Sequence, residues 1–439
     1  MRLRMGRDRA ILDRLAMLAG VVAIVLAATF LRQTGVPKAD TIWAEDGKIF
    51  AQCAYDEPLP ACLLTPYEGY LHTVPRLAAI VAPLGDPASL PFRLVLVAGL
   101  LAAIAAALAA RAIADATSSP AAGLLAGAGL VLGYSAGLEV SGNLTNVHWI
   151  LFAASAAVIV ASWVGRPPRL PDLVLLAGTA VTSVFGPLLA ALAVVAVGRR
   201  TQGARRMLAV VLTASAIQVV AMLVAVRSPV LRPPLTPWQF LVGTWRMAVD
   251  AGVFGPGHVP WNIAVWVLVA MLALVLSLVG GEPRAWTARA ISVAAVVALP
   301  ATGLVVFGTT VLVNHSTRQG RYGYEPTALV VVAIALAGGL AAGRLSGRRP
   351  FARLRLPDPI GRVTAGSLLT TVILVLFGIG FASTFHARSY ASSGPDASVE
   401  IRRAAPRCAT GTSAVEVRVS PVDAPWFVVI PCLEFDAAR

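Results

Sequence analysis

Two short stretches near the N-terminus contain the residue types that acid–base and phosphate chemistry need. They are Glu45 and Asp46 in TIWAEDGKIF (41–50), and Tyr70, His72 and Arg76 in TPYEGYLHTVPRL (65–77). A carboxylate at a membrane surface can act as a general base on a hydroxyl group or hold a divalent cation. His72 and Arg76 share a face if they lie on a helix, where both can neutralise a phosphate. A solvated loop with incidental charges is the alternative, and the clustering of these residues between two apolar segments favours a functional site.

A second group of polar residues stands between two later apolar segments. The sequence LEVSGNLTNVHWI (138–150) contains Glu139, Asn143, Asn146 and His148. Polar residues at the depth of the membrane plane are costly and are usually functional or paired. We expect these four residues to contribute to substrate binding. The alternative for Asn146 is a helix cap before His148.

A third polar stretch precedes a late apolar segment. It is NHSTRQGRYGYEP (314–326), which contains Arg318, Arg321 and Tyr322. Arginines on the outer face of a membrane protein run against the positive-inside trend. An anionic ligand would explain them, and contacts with lipid headgroups are the alternative.

The elements that position these residues are membrane helices. Hydrophobic residues make up 57% of the 439-residue chain and charged residues only 13%, against roughly 25% charged residues in soluble domains. The apolar residues come in blocks long enough to cross about 30 Å of hydrocarbon. We predict membrane segments near 12–31, 90–110, 121–138, 148–164, 207–226, 262–280, 290–312, 327–345 and 362–385.

The stretch 172–198 is either one tilted helix or two short helices broken at Phe185-Gly186-Pro187. Arginines flank it on both sides, and a hairpin keeps both groups on the cytoplasmic side. With that hairpin, eleven segments and a cytoplasmic N-terminus, the cytoplasmic segments carry the whole net charge of +14. The charge is therefore a topology signal, which removes the reason to expect a nucleic-acid partner. The strong preference for Arg over Lys, with much Ala and Val, indicates a bacterial inner membrane.

This topology places three regions outside the cytoplasm: residues 32–89, 227–261 and 386–439. All four cysteines lie in them, as Cys53 with Cys62 and Cys408 with Cys432. Pairing in an oxidising compartment predicts two disulfides. Four free thiols are the alternative, whereas the spacing does not suit a zinc site. In the second region, residues 234–250 carry an apolar stripe with helical spacing, which predicts a helix lying at the outer membrane interface.

Together these features resemble the GT-C superfamily of integral-membrane glycosyltransferases, which take sugars from polyprenyl-phosphate donors. The likeness rests on the acidic pair after the first span, the large first outer loop, the broken hairpin near SVFGPLLA (183–190) and the outer Arg-Tyr before a late span. It covers roughly residues 10–385 as architecture. The chain departs from the family pattern in having only Glu139 as a second outer acidic residue and in its small C-terminal region.

The resemblance implies an all-α polytopic membrane protein with about eleven embedded helices, in which 1–385 form the transmembrane domain and 386–439 a small disulfide-bonded extracytoplasmic segment. It also implies inverting transfer of a sugar to an envelope glycan or glycolipid at the outer face. Asp46 or Glu45 would deprotonate the acceptor, and Asp46 is preferred as a solvent-facing carboxylate beside Gly47, which permits close approach of a substrate. Arg76, His72 and Arg321 would stabilise the departing polyprenyl phosphate. No cofactor follows with certainty, because relatives differ in their use of a divalent metal such as Mg²⁺ or Mn²⁺.

Two other classes of protein remain alternatives. A secondary transporter or flippase would want ionisable residues within its spans and repeat symmetry, and the predicted spans are nearly free of charge. A non-catalytic protein that binds or assembles lipid-linked glycans would use the same outer clefts without needing the acidic pair.

Overall fold

Apolar helices dominate the computed structural model, which describes residues 2–225, 236, 238, 253–255, 258–278, 320–346, 354–355, 362–363, 365–386, 388–389, 391–421 and 425–437. The helices are α1 (Arg2–Leu31), α2 (Gln52–Asp56), α3 (Leu59–Leu64), α4 (Thr73–Ala78), α5 (Leu90–Thr117), α6 (Pro120–Leu132), α7 (Val147–Trp163), α8 (Leu170–Ala180), α9 (Gly186–Gly198), α10 (Ala204–Val224), α11 (Val259–Leu278), α12 (Gly320–Ser346), α13 (Ala365–Ser383), α14 (Ala397–Cys408) and α15 (Cys432–Ala437). Short 3₁₀-helices cover Lys38–Asp40, Ala79–Val81 and Pro87–Ser89, and π-helices cover Asp46–Ala51 and Ala136–Val140.

The predicted membrane segments correspond to apolar helices, apart from 290–312 and the interfacial helix 234–250, which lie outside the described residues except for Thr236 and Trp238. Within the described ranges, four helices are long and apolar enough to cross a membrane: Ile11–Leu31, Pro87–Thr117, Ala204–Val224 and Val259–Leu276. The other apolar helices are shorter. The chain is therefore a mostly helical membrane protein, and the number of true crossings stays a prediction.

The stretch 172–198 forms a hairpin of two helices, so the alternative of one long helix is wrong. α8 ends at Ala180 and α9 begins at Gly186, where Pro187 cannot continue a preceding helix but suits the first turn of a new one. At the far end of α9 the chain returns to the end of α7, where the Thr201 hydroxyl donates to the Ser162 carbonyl at 2.9 Å. Both ends of the hairpin therefore lie at the same end of the helix bundle.

An ionic cluster closes that end of the bundle. Asp172 is fully buried and accepts hydrogen bonds from Arg111 at 2.7 Å and from Arg166 at 2.8 Å. Asp115 lies 3.4 Å from Arg14 and 3.0 Å from Arg169. These residues come from α1, α5, α8 and the α7–α8 connection, all of them at or beside ends predicted to be cytoplasmic. The length of α7, at 1.5 Å per residue, separates this cluster from the other end of the bundle by about 25 Å.

The first loop and the C-terminal segment form one small folded unit at the opposite end of the bundle. Ile42 and Phe50 from the loop share a buried core with Leu94 of α5 and with Ile401 and Val428 of the C-terminal segment. Its strands β3 (Ala414–Arg418) and β4 (Phe427–Pro431) pair antiparallel with Ala414 opposite Pro431. The two segments thus lie on the same side of the helices, as predicted. That this side is extracytoplasmic, and that the chain divides at residue 385, stay predictions.

The strand pair corrects the expectation of an all-α chain. The residues of β3 alternate between buried and exposed positions, with Val415 and Val417 turned to the core. That period of two, in a segment rich in β-branched residues, is typical of a strand that covers a core on one face. A second, two-residue pairing joins β1 (Leu354–Arg355) to β2 (Arg362–Val363).

The four cysteines are paired as predicted, Cys53 with Cys62 and Cys408 with Cys432. The first pair links α2 to α3 inside the first loop, and the second links α14 to α15 in the C-terminal segment. Both therefore lie in the same folded unit, and the alternatives of free thiols or a zinc site do not fit this arrangement.

Arg32 fixes the start of the first loop to two helix ends. Its buried guanidinium donates to the carbonyls of Val131 and Gly133 at the end of α6, and to those of Thr384 and Phe385 just after α13. A cation at helix C-termini satisfies carbonyls that have no partner within the helix and is favoured by the helix dipole. An arginine on the predicted outer side can therefore serve structure without any ligand.

Candidate functional site

The break between α8 and α9 holds the segment that carries His72 and Arg76. The Thr73 hydroxyl donates to the Val181 carbonyl at 3.0 Å, and the Val74 amide donates to the Thr182 hydroxyl at 3.0 Å. These two bonds fix the first turn of α4, whose N-terminal amides lack partners within the helix. The broken hairpin therefore positions the site.

His72 and Arg76 lie one helical turn apart, as the sequence predicts, because the Arg76 amide donates to the His72 carbonyl at 3.0 Å. Both side chains are buried. Arg76 lies over the ring of Phe50, 5.6 Å from its centroid, and its Nη1 is 3.7 Å from the Sγ of Cys62. Its Nε is buried and has no hydrogen-bond partner among the described residues.

Aromatic rings surround His72 on several sides. Its ring centroid is 4.1 Å from that of Tyr70, 5.5 Å from Phe50 and 6.0 Å from His148. Burial lowers the pKa of His72 well below its usual value, and the neighbouring His148 and Arg76 lower it further. At neutral pH the imidazole is therefore uncharged, and its one N–H group is already engaged with the Tyr70 backbone. The unpartnered Nδ1 can then only accept a hydrogen bond, so His72 offers a phosphate neither a positive charge nor a free N–H group. This corrects the expectation that both His72 and Arg76 neutralise a phosphate.

Asp46 is buried, so the expectation of a solvent-facing carboxylate is wrong. Only 3% of its surface is exposed. Its Oδ2 accepts from the Leu144 amide at 2.8 Å, and its Oδ1 accepts from the Thr145 amide at 2.7 Å and the Thr145 hydroxyl at 2.6 Å. Burial raises the pKa of Asp46 to about 6, against these hydrogen bonds and the charge of Lys38, which lower it. Asp46 therefore ties the first loop to the connection between α6 and α7.

The neighbouring glycine also has a different role from the expected one. A Cβ atom on Gly47 would lie 3.0 Å from Ile42 and 3.3 Å from Val419. The absence of a side chain lets the first loop pack against the C-terminal segment. Close approach of a substrate, which we expected Gly47 to permit beside Asp46, is not its evident use.

Glu45 differs from Asp46 in leaving one carboxylate oxygen uncommitted. Its side chain is half-buried, and its Oε2 is buried without a hydrogen-bond partner within the described part of the chain. A carboxylate oxygen in that state has a lone pair with which to accept a proton or a hydroxyl group. Of the predicted acidic pair, Glu45 therefore suits the role of base better than Asp46.

Hydrogen bonds within the second polar group hold its residues together. The side-chain amides of Asn143 and Asn146 both donate to the Glu139 carbonyl, the second at 3.0 Å. Asn146 lies at the N-cap position of α7 but makes no side-chain cap bond, and its Oδ1 is buried with no partner among the described residues. The cap alternative thus does not explain its side chain.

Asp46 and His148 join these two groups into a closed ring of contacts. Asp46 holds Thr145, which lies three residues before His148; His148 contacts His72; and His72 contacts Phe50, four residues after Asp46. Three more of the predicted residues are neighbours of its members in the sequence. Glu45 precedes Asp46, Arg76 lies one helical turn after His72, and Asn146 follows Thr145. The structure thus brings together the predicted residues of the first loop and of 139–148.

The third predicted group is not tested. Arg318 and the side chains of Arg321 and Tyr322 lie outside the described residues. Their role in binding an anion stays a prediction.

The donor set around Asp46 does not fit a divalent metal. Both of its oxygens accept from N–H or O–H donors, and the Lys38 ammonium lies close enough to influence its charge. A carboxylate engaged in this way has little left to offer Mg²⁺ or Mn²⁺, which need several free oxygen ligands. In the described ranges, no three His, Cys, Asp or Glu side chains are grouped so that they could hold a metal ion.

Two residues that support the site were not predicted. Lys38 is buried and donates to the Asn143 Oδ1 at 2.5 Å, and Gln218 of α10 exchanges hydrogen bonds with the backbone of Leu71 at 3.1 and 3.2 Å. The signals were present in the sequence. Lys38 is one of two lysines among 36 basic residues, and Gln218 is a polar residue within an otherwise apolar span, where such residues are usually paired.

Comparisons with known proteins do not identify a function, so the geometry of the site is the main evidence for one. No family model matches the sequence, and no curated protein matches it. A solved structure of ArnT from Cupriavidus metallidurans, bound to undecaprenyl phosphate, aligns over 95% of this chain and 97% of its own length at 13% identity, with a TM-score of 0.33. A TM-score that low supports neither a shared fold nor a shared activity.

Proposed function

We propose that this chain is a membrane glycosyltransferase of the GT-C type. It would move a sugar from a polyprenyl-phosphate donor to an envelope glycan or glycolipid at the extracytoplasmic face of a bacterial inner membrane. The observation that carries the proposal is a set of buried polar atoms around one ring of contacts. Glu45 Oε2, His72 Nδ1, Arg76 Nε and Asn146 Oδ1 have no partner among the described residues. Such atoms are costly unless a ligand or water satisfies them.

These atoms offer the groups that the reaction needs. The acceptor hydroxyl would give its proton to Glu45 as its oxygen forms a bond to the anomeric carbon of the sugar. The bond between that carbon and the phosphate oxygen would break on the opposite face, and its electron pair would leave with the polyprenyl phosphate. Attack and departure on opposite faces invert the anomeric centre.

Arg76 suits the leaving group. Its guanidinium brings a positive charge and an uncommitted N–H group, whereas the unpartnered Nδ1 of the neutral His72 would accept a hydrogen bond from a hydroxyl group of the sugar or the acceptor. Charge-assisted donors in a buried site stabilise a developing phosphate charge strongly. A polyprenyl donor fits a site at a bundle end, because its apolar tail stays in lipid while its phosphate lies at the interface. Tyr70, Asn146 and His148 would line the sugar.

The test measures the product common to all such reactions. The purified protein in lipid nanodiscs is given a panel of polyprenyl-phosphate sugars with candidate acceptors, and released polyprenyl phosphate is quantified. We expect release by the wild type and a loss of about 10²–10⁴-fold for Glu45→Gln, the usual contribution of a general base. Gln keeps the size of Glu45 but removes its basic oxygen. Equal release by the two proteins would place the base elsewhere.

The non-catalytic alternative has one observation in its favour, the use of Asp46 in structure. If half of the acidic pair serves to join two loops, the pair alone argues less strongly for catalysis. Binding of polyprenyl-phosphate sugar without release by the wild type would support that alternative. Movement of the lipid-linked sugar between leaflets without release would support a flippase.

A further inference from the structure

Lys38 is a buried cation that the proposed reaction does not use. It starts the 3₁₀-helix Lys38–Asp40, seven residues after α1 ends, and only 5% of its surface is exposed. Burial of an ammonium group is expensive unless partners compensate it. A lysine in this position therefore needs a reason.

The partners of Lys38 belong to the connection between α6 and α7. Its Nζ donates to the Asn143 Oδ1 at 2.5 Å, and Asn143 in turn donates to the Glu139 carbonyl. Gly142 has a φ of +73°, and a Cβ atom on it would lie 2.8 Å from the Cε of Lys38. The loop thus closes over the lysine side chain and can do so only with glycine at that position.

The same loop is held from the other side by Asp46. The amides of Leu144 and Thr145, one and two residues after Asn143, donate to the Asp46 carboxylate. Lys38 and Asp46 therefore hold three consecutive residues of one loop. Asn146 and His148 follow directly, and their positions at the site depend on this attachment.

We infer that Lys38 is a positioning residue, which fixes loop 139–146 through Asn143 and holds the charge on Asp46 that fixes Leu144 and Thr145. The inference deepens the proposed function and rests on it for its kinetic consequence. Its structural consequence, the attachment of the loop, holds whatever the chain catalyses.

Lys38 and Asp46 influence each other's charge, so the inference also predicts an effect that depends on pH. Burial lowers the pKa of Lys38 to about 8, so the ammonium is charged at neutral pH and its charge lowers the pKa of Asp46. Other ionisable groups on the segments around Asp46 are Glu139, His148, Arg76 and, on its own segment, Glu45, Lys48 and Asp56. Loss of the Lys38 charge raises the pKa of Asp46 above about 6, so the carboxylate becomes protonated at higher pH.

Three variants separate the two roles of Lys38. Lys38→Met removes the hydrogen bond and the charge, and Lys38→Gln keeps a donor for Asn143 but removes the charge. Lys48→Met is the matched control, since Lys48 is the other lysine of the chain, lies in the same loop, and contacts the rings of Trp426 and Phe427 at 5.4 and 4.8 Å.

Hydrogen–deuterium exchange of the peptide 139–149 tests the attachment without any activity assay. In Lys38→Met we expect the Leu144 and Thr145 amides to exchange at least about tenfold faster, as local opening of a loop that loses one hydrogen-bonded partner would cause. Lys48→Met should match the wild type, and Lys38→Gln should lie closer to the wild type than to Lys38→Met. Wild-type exchange in Lys38→Met would overturn the inference even if the chain proves to be no glycosyltransferase.

The pH profile of polyprenyl phosphate release tests the charge. Protonation of Asp46 weakens its hold on Leu144 and Thr145, and through them on Asn146 and His148. We therefore expect the acid limb of the kcat profile near pH 6 to move up by about one pH unit in both Lys38→Met and Lys38→Gln, as removal of a nearby opposite charge predicts, with no movement in Lys48→Met. A merely structural lysine would lower the rate without moving the limb, and that result in Lys38→Gln would overturn the charge role. If Lys38→Met is not recovered from membranes, Lys38→Gln decides the charge role, and Asn143→Ala, which removes the acceptor of the Lys38 Nζ bond, takes its place in the exchange experiment with the same expected and overturning results. If the wild type releases no polyprenyl phosphate, the proposed function fails and the exchange experiment still decides the attachment.

Discussion

Replacement of Asp46 by Asn should change how the stability of the protein depends on pH. The hydrogen bonds of Asp46 favour its ionised form, but its burial disfavours that form more strongly. The pKa of Asp46 rises from 3.8 to about 6 in the folded chain, with burial as the largest cause. Between these two values the folded protein holds a proton that the unfolded chain has released. The wild type therefore loses stability as the pH rises from about 4 to 6, because the buried carboxyl group must ionise.

The size of this loss follows from the shift. Two pKa units correspond to about 3 kcal/mol at 1.36 kcal/mol per unit. The amide side chain in Asp46→Asn cannot ionise, so the stability of the variant does not fall between pH 4 and 6 for this reason. Its NH₂ group cannot accept from either backbone amide, whereas the hydroxyl oxygen of the protonated Asp46 keeps a lone pair for the second of them, and one unsatisfied buried donor costs about 1–3 kcal/mol. We expect Asp46→Asn to be less stable than the wild type near pH 4 and close to it at pH 7.

Thermal unfolding of the detergent-solubilised proteins at several values between pH 4 and 7 measures this difference. Other groups titrate in the same range, but they do so in both proteins and cancel in the comparison. A stability gap that stays constant over the whole range would refute the raised pKa and the account of burial that gives it. A gap that widens with pH would mean that the hydrogen bonds, and not desolvation, dominate at Asp46.

Three further predictions concern the cysteines, the topology and Arg76. Alkylation without reductant should label no cysteine, and loss of either bridge should cost roughly 2–4 kcal/mol by loop entropy; mass spectrometry that finds four alkylated thiols would contradict the pairing. A reporter fused after Arg439 should behave as extracytoplasmic and one at Gly203 as cytoplasmic, and the reverse result would invert the orientation. Arg76→Gln should weaken use of the donor by about 2–4 kcal/mol in kcat/KM, because a buried charge-assisted contact to the phosphate is lost, whereas an unchanged kcat/KM would remove Arg76 from the phosphate site.

The helices and many residues of the candidate site could be predicted from the sequence, because both leave simple signals in it. Apolar blocks of membrane length predict the spans, and arginines on both sides of 172–198 predict a hairpin, which the break before Gly186 confirms. His72 and His148 were predicted separately as site residues near the ends of apolar segments, and their rings lie 6.0 Å apart.

The burial of Asp46 could not be predicted in the same way. It depends on the amides of Leu144 and Thr145, about a hundred residues away in the chain, and on a C-terminal segment that covers the first loop. No local pattern records which carboxylate of an acidic pair such a loop will reach. The strand pair was missed for a related reason, since short segments rich in β-branched residues are hard to separate from the rest of a highly apolar chain.

The C-terminal segment explains how a site built on loops can be held in place. The Ser420 amide donates to the Ile42 carbonyl at 2.9 Å, and the Val429 amide donates to the Gln52 side chain at 2.7 Å. These bonds bracket the π-helix Asp46–Ala51, so the residues that flank the acidic pair are fixed from the C-terminal side. Asp46 and Lys38 fix the same segment to the α6–α7 connection, and Arg32 fixes its start to two helix ends. Preorganisation of this kind lowers the cost of binding, which is what a site with uncommitted oxygen and N–H groups in a buried position requires.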